Sequence, residues 1–357
     1  MTSPRILTLG LFTAVCAITP SLWSAEIKLA DPALRYVGRF DTSDAAGPRC
    51  SWPNSSLAFT VSGGSAEVTF KETSGKNHWQ VVVNGAPTEV LALEAGEKSY
   101  IVASALPPGK HTIELVKRTE SSQGVSQITG LRIDDNAKLL PTPARPRRIE
   151  AIGDSITCGF GNEAPNKEAK FTPATENAWL TYGAVAAREL NADYVAIAAS
   201  GKKLFPDNTI VSLYDRVLAN SGTPKWDFTQ QIPDVVVINL ATNDFAQKNP
   251  EEGPWISAYV DFIRDIQAKY PKARIYCTLG PMISNWPGDR KPRTVLLGHF
   301  EKIVAEANAG GGAPVRFVDF GTQAQHHGIG AQWHPSVRTH ELMAEKLVAA
   351  IREDLGW

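Results

Sequence analysis

The chain lacks both a strong charge imbalance and a long hydrophobic run beyond its first 25 residues. Its 36 Lys and Arg residues nearly balance 37 Asp and Glu residues, which leaves a formal net charge of -1. This balance does not favour a nucleic acid as a partner, because binding a polyanion needs an excess of positive charge. After residue 25 no segment approaches the roughly 20 consecutive apolar residues that span a bilayer. We therefore expect no membrane contact beyond the N-terminal segment.

The first 25 residues have the pattern of a signal peptide. Arg5 supplies a positive charge, the apolar run ILTLGLFTAVCAI follows it, and the small residues Ser24 and Ala25 come next. The apolar run is too short to span a bilayer comfortably. This pattern predicts a signal peptide over residues 1–25 and a secreted or periplasmic protein. A retained N-terminal membrane anchor is the alternative.

Cysteine is scarce as well, with four residues in a chain of 357. Removal of the N-terminal segment would leave Cys50, Cys158 and Cys277, and three thiols can form at most one disulfide within the chain. No pair of them has the spacing of metal ligands. We therefore predict neither a disulfide framework nor a metal site, and the sequence leaves open whether Cys50 pairs.

The rest of the chain divides into two parts with different periodicity. Between about residues 34 and 133, short segments alternate or run apolar for the length of a strand, and turn-forming stretches such as SGG and NGAP separate them. This pattern predicts an all-β domain over residues 26–140, a two-sheet sandwich of the jelly-roll kind. The stretch LLPTPARPRR, residues 139–148, contains three prolines and cannot pair within a central strand. We place the domain boundary there.

Strands and helices alternate in the second part, residues 147–357. Short β-branched runs such as ADYVAIA and PDVVVINL lie between helical patterns such as WISAYVDFIRDIQAKY. Alternation of this kind is typical of βαβ units, so we predict an α/β fold with a parallel sheet that helices cover on both faces. Ligands of such sheets bind at the carboxyl ends of the strands, so the chemistry is expected at that edge.

Four residues that can carry ester chemistry lie where strands of this sheet end. Ser155 follows IEAIGD, Gly201 follows DYVAIA, Asn243 follows PDVVVINL, and His334 comes between the last strand and the final helix. A serine hydroxyl needs a general base such as histidine, and backbone N–H groups with an asparagine amide can hold an oxyanion. Each residue also has an ordinary explanation: a helix cap for the serine, turns for the glycine and asparagine, and packing for the histidine.

The blocks GDSIT, SGK, TND and WHP place these residues in the order of the SGNH hydrolases, also called GDSL-like esterases, and the resemblance covers the chain beyond residue 147. GDSITCGFGNE, ENAWLTYGAVAAREL and the preceding β-domain further resemble carbohydrate esterase family 2. The resemblance implies a jelly-roll domain before a three-layer α/β/α hydrolase domain. It also implies a serine esterase that removes acetyl groups from plant polysaccharides such as xylan and glucomannan. Ser155 and His334 would be catalytic, Ser155, Gly201 and Asn243 would form the oxyanion hole, and no cofactor or metal would be needed.

The sequence departs from the family pattern at three places. Ala241 stands where the third block usually begins with glycine, a small change in size, and Lys203 stands where the second block often has another glycine. The third departure lies before the histidine, where an aspartate usually fixes the imidazole tautomer. Here those positions are Ala331 and Gln332, and neither side chain supplies a charge.

We predict that Ser155 and His334 work as a dyad in which a backbone carbonyl orients the histidine. The alternatives are a carboxylate from elsewhere, with Asp319 and Glu163 as candidates, or an enzyme that has lost activity. A carbonyl stabilises the imidazolium less than a carboxylate does, so we expect lower turnover without its abolition.

The expected partner is an acetylated polysaccharide or oligosaccharide. The chain has nine tryptophans. Trp333, beside the predicted base, and Trp286, in the stretch ISNWPGD, can stack on a sugar ring, although packing explains each equally well. Two other functions remain open: an SGNH esterase or lipase with another acyl specificity, and a carbohydrate-binding protein with a degenerate hydrolase domain. The sequence does not indicate an oligomeric state.

Overall fold

Two antiparallel β-sheets make up the N-terminal part of the protein. The computed structural model describes residues 23–357. The strands are β1 (Trp23–Glu26), β2 (Arg35–Val37), β3 (Arg49–Cys50), β4 (Ser56–Val61), β5 (Gly64–Glu72), β6 (His78–Val83), β7 (Ala86–Ala92), β8 (Gly96–Leu106), β9 (His111–Lys117), β10 (Ser126–Asp134) and β11 (Leu139–Leu140). One sheet has the strand order β1-β10-β5-β8 with β3 beside β10, and the other has the order β11-β4-β9-β6-β7 with β2 beside β4.

These two sheets pack face to face as a sandwich. In β5 the alternate residues Ala66, Val68 and Phe70 are buried, while Glu67 and Thr69 between them are half-buried. Alternation of this kind puts one face of a strand against a core. The ring of Phe70 lies 4.9 Å from that of Trp79, which comes from the other sheet. The predicted β-sandwich is therefore confirmed.

A parallel five-stranded sheet forms the second part. Its strands are β12 (Arg147–Gly153), β13 (Ala192–Ala198), β14 (Val235–Asn239), β15 (Arg274–Leu279) and β16 (Val315–Asp319), in the order β13-β12-β14-β15-β16. Five α-helices accompany them among the described residues: α1 (Ser155–Cys158), α2 (Tyr182–Glu189), α3 (Glu252–Lys269), α4 (Pro292–Ala309) and α5 (Val337–Leu355).

Alternate residues of the central strand β14 face different helix layers. Val236 and Ile238 belong to a buried cluster that includes residues of α3 and α4, while Val235 and Val237 belong to one that includes residues of α2 and α5. A strand buried on both faces reads as a continuous apolar run, which is why VVVI carries no alternation. The predicted three-layer α/β/α architecture is confirmed.

The sandwich and the α/β part share buried surface. Val37 and Trp52 of the sandwich lie in the same apolar cluster as Ile152 and Ile238 of the parallel sheet. The carbonyl of Arg118, directly after β9, accepts a hydrogen bond of 2.9 Å from the N–H of the α/β part's Ala178. The sandwich therefore packs against the α/β part through apolar and hydrogen-bonding contacts.

The remaining sequence-based expectations concern the signal peptide, the cysteines, membrane-spanning helices and metal sites. Residues 1–22 of the predicted signal peptide lie outside the described residues, so it remains a prediction. Cys50, Cys158 and Cys277 are buried free thiols. No helix in residues 23–357 is long and apolar enough to cross a bilayer. Within the same residues no group of three His, Cys, Asp or Glu side chains is arranged to hold a metal ion.

Candidate active site

Three neighbouring strands bring the candidate residues to one edge of the parallel sheet. The strand ends Gly153, Ala198 and Asn239 lie side by side, because β12 pairs in register with both β13 and β14. Ser155 and Gly201 follow their strands within three residues, and the carboxyl ends of parallel strands meet at a common edge. The structure therefore brings these segments together at the carboxyl edge of the sheet, where the sequence predicts the site.

Ser155 begins α1, a helix of only four residues. The side chain of Asp154 caps it by accepting a hydrogen bond of 3.0 Å from the N–H of Ile156. A Cβ atom on Gly153 would lie 2.0 Å from Oγ1 of Thr157, so only glycine permits this tight strand-to-helix turn. The turn holds Ser155 at the rim of the sheet, with 6% of its surface exposed.

His334 lies opposite the serine. The Ser155 hydroxyl donates to Nε2 of His334 over 2.8 Å, and Nδ1 of His334 donates to the carbonyl of Ala331 over 3.0 Å. A carbonyl can only accept a hydrogen bond, so the proton of the neutral imidazole must lie on Nδ1. Nε2 is then free to accept the proton of the serine hydroxyl.

Neither carboxylate considered from the sequence orients this histidine. Asp319 is paired with Arg293, and Glu163 is paired with Arg118. The partner of Nδ1 is a backbone carbonyl.

The imidazole of His334 packs against aromatic side chains. Its centroid lies 4.3 Å from that of the Phe160 ring, and Phe160 in turn stacks on Phe171 at 4.1 Å. Burial lowers the pKa of His334 below its usual value, against the effect of the hydrogen bond to Ala331, which raises it. The ring is therefore held in its neutral form, which is the form a general base requires.

The turn that precedes His334 has an unusual backbone. Gln332 and Trp333 have φ values of 51° and 69°, a left-handed conformation that non-glycine residues rarely adopt. The N–H of Gln332 donates to the carbonyl of Lys167, and the carbonyl of Trp333 accepts from the side chain of Gln323. Such conformations persist only where neighbouring contacts hold them, and they cluster at functional sites.

The loop after β13 presents an unpaired amide at Gly201. Gly201 has a φ of 75°, and its carbonyl accepts a hydrogen bond of 3.0 Å from the side chain of Asn208. Neither the N–H of Gly201 nor the N–H of Ser155 donates a hydrogen bond to an acceptor within residues 23–357. Unpaired N–H groups at such a rim are suitable donors to an oxyanion.

Asn243 lies beside the same loop. Its amide nitrogen donates to the carbonyl of Lys202 over 2.9 Å and to Oδ2 of Asp154 over 3.3 Å. An oxyanion would therefore have to replace or share the longer of these bonds. The oxyanion role of Asn243 and Gly201 stays a prediction, and the bond to Asp154 places Asn243 beside the residue that precedes Ser155.

The alanine that departs from the family pattern has a backbone consequence as well as a small change in size. Ala241 is buried and has a φ of 109°, in the region that favours glycine. A glycine at this position in other family members would avoid that strain.

Two carboxyl groups that the sequence analysis did not single out support these loops. Asp244 accepts hydrogen bonds from the backbone of Leu204 and Phe205 and from the indole of Trp255. Burial, together with the charge of Asp244, raises the pKa of Asp154 to about 7, although the bond from Ile156 lowers it. Both aspartates lie inside the GDSIT and TND blocks, which was the available signal, whereas no sequence pattern indicated the contact of Phe160 with His334.

The two predicted sugar-stacking tryptophans are exposed to different degrees. Trp286 is 83% exposed, and Trp333 is 52% exposed. The ammonium of Lys167 lies 4.1 Å from the ring centroid of Trp333 and covers one of its faces. Only the other face of Trp333 remains for a ligand. The structure places Trp333 next to His334, and it pairs the backbone N–H of Trp286 with the Ser284 hydroxyl.

Tyr214 is a core residue. Its side chain is 2% exposed, and its hydroxyl donates to Glu150 over 2.7 Å. It therefore plays no part in the site.

Family models match both parts of the chain. Residues 36–143 match the model described as Carbohydrate esterase 2 N-terminal. Residues 151–342, more than half of the chain, match the GDSL-like Lipase/Acylhydrolase family. The two matched ranges correspond to the β-sandwich and to the α/β part that carries Ser155 and His334.

Individual relatives resemble the whole chain. A solved structure of a family two carbohydrate esterase from Clostridium thermocellum, in complex with cellohexaose, is 39% identical, with a TM-score of 0.85 over 91% of this chain and 99% of that one. Cellulase/esterase CelE of Acetivibrio thermocellus is 39% identical over 92% of this chain, which spans 40% of that relative's length. An acetylxylan esterase / glucomannan deacetylase of Cellvibrio japonicus is 26% identical over 99% of this chain and 98% of its own length.

Proposed function

Since this chain belongs to carbohydrate esterase family 2, a family of carboxylic ester hydrolases, we propose that it removes O-acetyl groups from plant polysaccharides such as xylan and glucomannan. The observation that carries the proposal is the chain of hydrogen bonds from Ser155 through His334 to the carbonyl of Ala331. That arrangement supplies a nucleophile, a base in the correct tautomer and a group that fixes the base.

The first step is acylation of the serine. His334 takes the proton of Ser155 on Nε2 while Oγ attacks the carbonyl carbon of the acetyl group. The N–H groups of Ser155 and Gly201 and the side chain of Asn243 hold the negative oxygen of the tetrahedral intermediate. His334 then returns the proton to the sugar oxygen, which leaves as a hydroxyl, and the acetyl group remains on Ser155.

The second step releases acetate by the same groups. A water molecule gives its proton to Nε2 of His334 and attacks the acetyl carbon, and the second tetrahedral intermediate collapses with return of the proton to Ser155. Because the Ala331 carbonyl carries no full charge, it stabilises the imidazolium less than a carboxylate would. We therefore infer a working dyad with moderate turnover.

The relatives and the exposed aromatic side chains support a carbohydrate substrate. One relative is named as acting on acetylated xylan and glucomannan, and the solved relative holds a cello-oligosaccharide. Trp286 and the free face of Trp333 offer flat apolar surface, to which sugar rings bind by stacking. We further propose export to the periplasm or the medium, where such polymers are found, on the basis of the signal-like residues 1–25.

The test is acetate release from acetylated xylan and acetylated glucomannan, beside nitrophenyl esters of short and long acyl chains. We expect acetate release from at least one polymer, its loss in Ser155→Ala and His334→Ala, and its retention in Ser212→Ala, which removes the hydroxyl of an exposed serine. Asn243→Ala should lower kcat by about 10²- to 10³-fold, as the loss of an oxyanion donor typically does.

Two outcomes would replace the proposal. Preference for long acyl chains would indicate an esterase or lipase of another acyl specificity. The absence of ester cleavage, with the polysaccharide still bound, would indicate a carbohydrate-binding protein with a degenerate hydrolase domain.

A further inference from the structure

Directly after β9, residues 118–121 of the β-sandwich pack against the hydrolase part. The carbonyl of Arg118 accepts a hydrogen bond of 2.9 Å from the N–H of Ala178, and the carbonyl of Ser121 accepts one of 3.0 Å from the side chain of Asn220. Glu120 lies between these two anchor points and is 3% exposed. Its backbone is therefore fixed against the hydrolase part on both sides.

The carboxyl group of Glu120 reaches the loop that carries Gly201. Its Oε2 accepts a hydrogen bond of 2.7 Å from the N–H of Ser200. Ser200 is the residue immediately before Gly201, so this bond fixes one side of the peptide that carries the Gly201 amide. Asn208 fixes the other side by donating to the carbonyl of Gly201 over 3.0 Å.

The same oxygen also contacts the helix of the nucleophile. The thiol of Cys158 donates to Oε2 of Glu120 at 3.8 Å, and Cys158 is the last residue of α1, which begins at Ser155. One side chain of the sandwich thus binds both segments whose N–H groups are the predicted backbone donors of the oxyanion hole. Those two N–H groups must converge on one oxygen atom, and their separation depends on how the two segments are held together.

Buried polar groups hold Glu120 in this position. Its N–H donates to Oε2 of Glu176 over 3.0 Å, and its carbonyl accepts from Nζ of Lys117 over 3.3 Å. Both of these side chains are buried as well. A polar network whose members bond one another in this way has little freedom to rearrange.

We propose that Glu120 is a positioning residue of the esterase: from the β-sandwich, it fixes the loop of Gly201 against the helix of Ser155 and so sets the geometry of the oxyanion hole. This inference rests on the proposed function. It gives the β-sandwich a role in the rate of the chemical step in addition to any contact with the polysaccharide.

The test compares kcat and KM of three variants at Glu120 on a soluble acetyl ester. Glu120→Ala removes both contacts, and we expect kcat to fall about tenfold to a hundredfold with little change in KM, because a displaced donor stabilises the transition state and not the bound substrate. Glu120→Gln keeps an acceptor oxygen for the N–H of Ser200 and should restore most of the activity. Glu120→Asp, whose side chain is one methylene shorter, should again lower kcat. Its kcat tests the proposal if the alanine variant does not fold.

Glu72 offers a matched control within the same domain. It is also 3% exposed and hydrogen-bonded, but its partners Asn77 and Ser126 lie inside the sandwich. Glu72→Ala should keep the parent kcat in the fraction of protein that is folded. The inference is overturned if Glu120→Ala and Glu120→Asp keep the parent kcat, if Glu72→Ala lowers it equally, or if the glutamine variant is as impaired as the alanine variant.

Amide hydrogen exchange separates this inference from the proposed function. Loss of the bond to Glu120 should speed exchange in the peptide that contains Ser200 and Gly201, and it should do so whether or not the protein cleaves esters. Faster exchange in Glu120→Ala, in a protein without any esterase activity, would contradict the proposed function alone. Unchanged exchange there would overturn the positioning role itself.

Discussion

At the scale of single residues, the base of the candidate dyad depends on a carbonyl and on burial. The carbonyl of Ala331 fixes the proton of His334 on Nδ1, and the ring of Phe160 packs against the imidazole. Neither group offers a negative charge that would favour the imidazolium form. Burial therefore dominates and lowers the pKa of His334.

This balance predicts the acid limb of the pH profile. His334 must be neutral to accept the serine proton, so activity is lost as the pH falls through its pKa in the free enzyme. Because burial lowers that pKa below the usual 6.5, the midpoint of the acid limb of kcat/KM should lie below pH 6.5. The measurement is kcat/KM for a soluble acetyl ester between pH 4 and 8, after a stability check at each pH. An acid limb centred at or above pH 6.5 would show that a negative charge reaches the imidazole.

At the scale of elements, two short loops position the base relative to the nucleophile. The carbonyl of Gly161 accepts a hydrogen bond of 3.0 Å from the N–H of Ala331, the residue whose own carbonyl holds His334. Gly161 lies just beyond α1, and its φ is 55°. A Cβ atom there would lie 2.4 Å from Cβ of Ala331, so the close approach of the loops requires glycine.

Gly161→Ala should therefore impair catalysis more than folding. The added methyl group must push Ala331 away, and a misplacement of about 1 Å can lower a rate by roughly a hundredfold. Gly85→Ala is the matched control, since Gly85 also has a positive φ, 82°, but its Cβ would meet no atom within 4 Å. Gly161→Ala should lose more stability in urea unfolding than Gly85→Ala because of the collision with Ala331, and only Gly161→Ala should lose kcat in the folded fraction. Equal kcat values in the two variants would refute the coupling between the loops.

The sequence predicts elements and their order better than it predicts contacts between loops. The β-branched runs of the parallel sheet and the periodicity of α3, α4 and α5 were visible, and the order of strand ends was enough to place Ser155 next to the Gly201 loop. The contact between Gly161 and Ala331 was not visible, because it joins residues far apart in sequence through backbone atoms. The φ of 109° at Ala241 was also not predictable, because glycine and not alanine is the residue type that indicates such a conformation.

At the scale of the whole molecule, the sandwich and the hydrolase part complete one buried core. Arg39, two residues after the end of β2, has a fully buried side chain that donates to the carbonyls of Tyr214 and Arg216. It also lies 3.5 Å from the carboxylate of Glu150, in strand β12. No periodicity predicts an arginine and a glutamate inside a core, so the sequence marks a boundary near residue 140 without showing how closely the two parts join.

We therefore predict that the two parts unfold together and that Arg39 is needed to stabilise the contact between them. Arg39→Ala leaves Glu150 buried with the hydroxyl of Tyr214 as its one remaining partner among residues 23–357, and loss of one member of a buried ion pair destabilises a protein by roughly 3–5 kcal/mol. Lys98→Ala, which removes an exposed ion pair with Glu94, is the control and should change stability little. Urea unfolding followed by far-ultraviolet circular dichroism and by tryptophan fluorescence should give one coincident transition for the parent. Two separate transitions, or an Arg39→Ala variant as stable as the control, would mean that the sandwich and the hydrolase part fold independently.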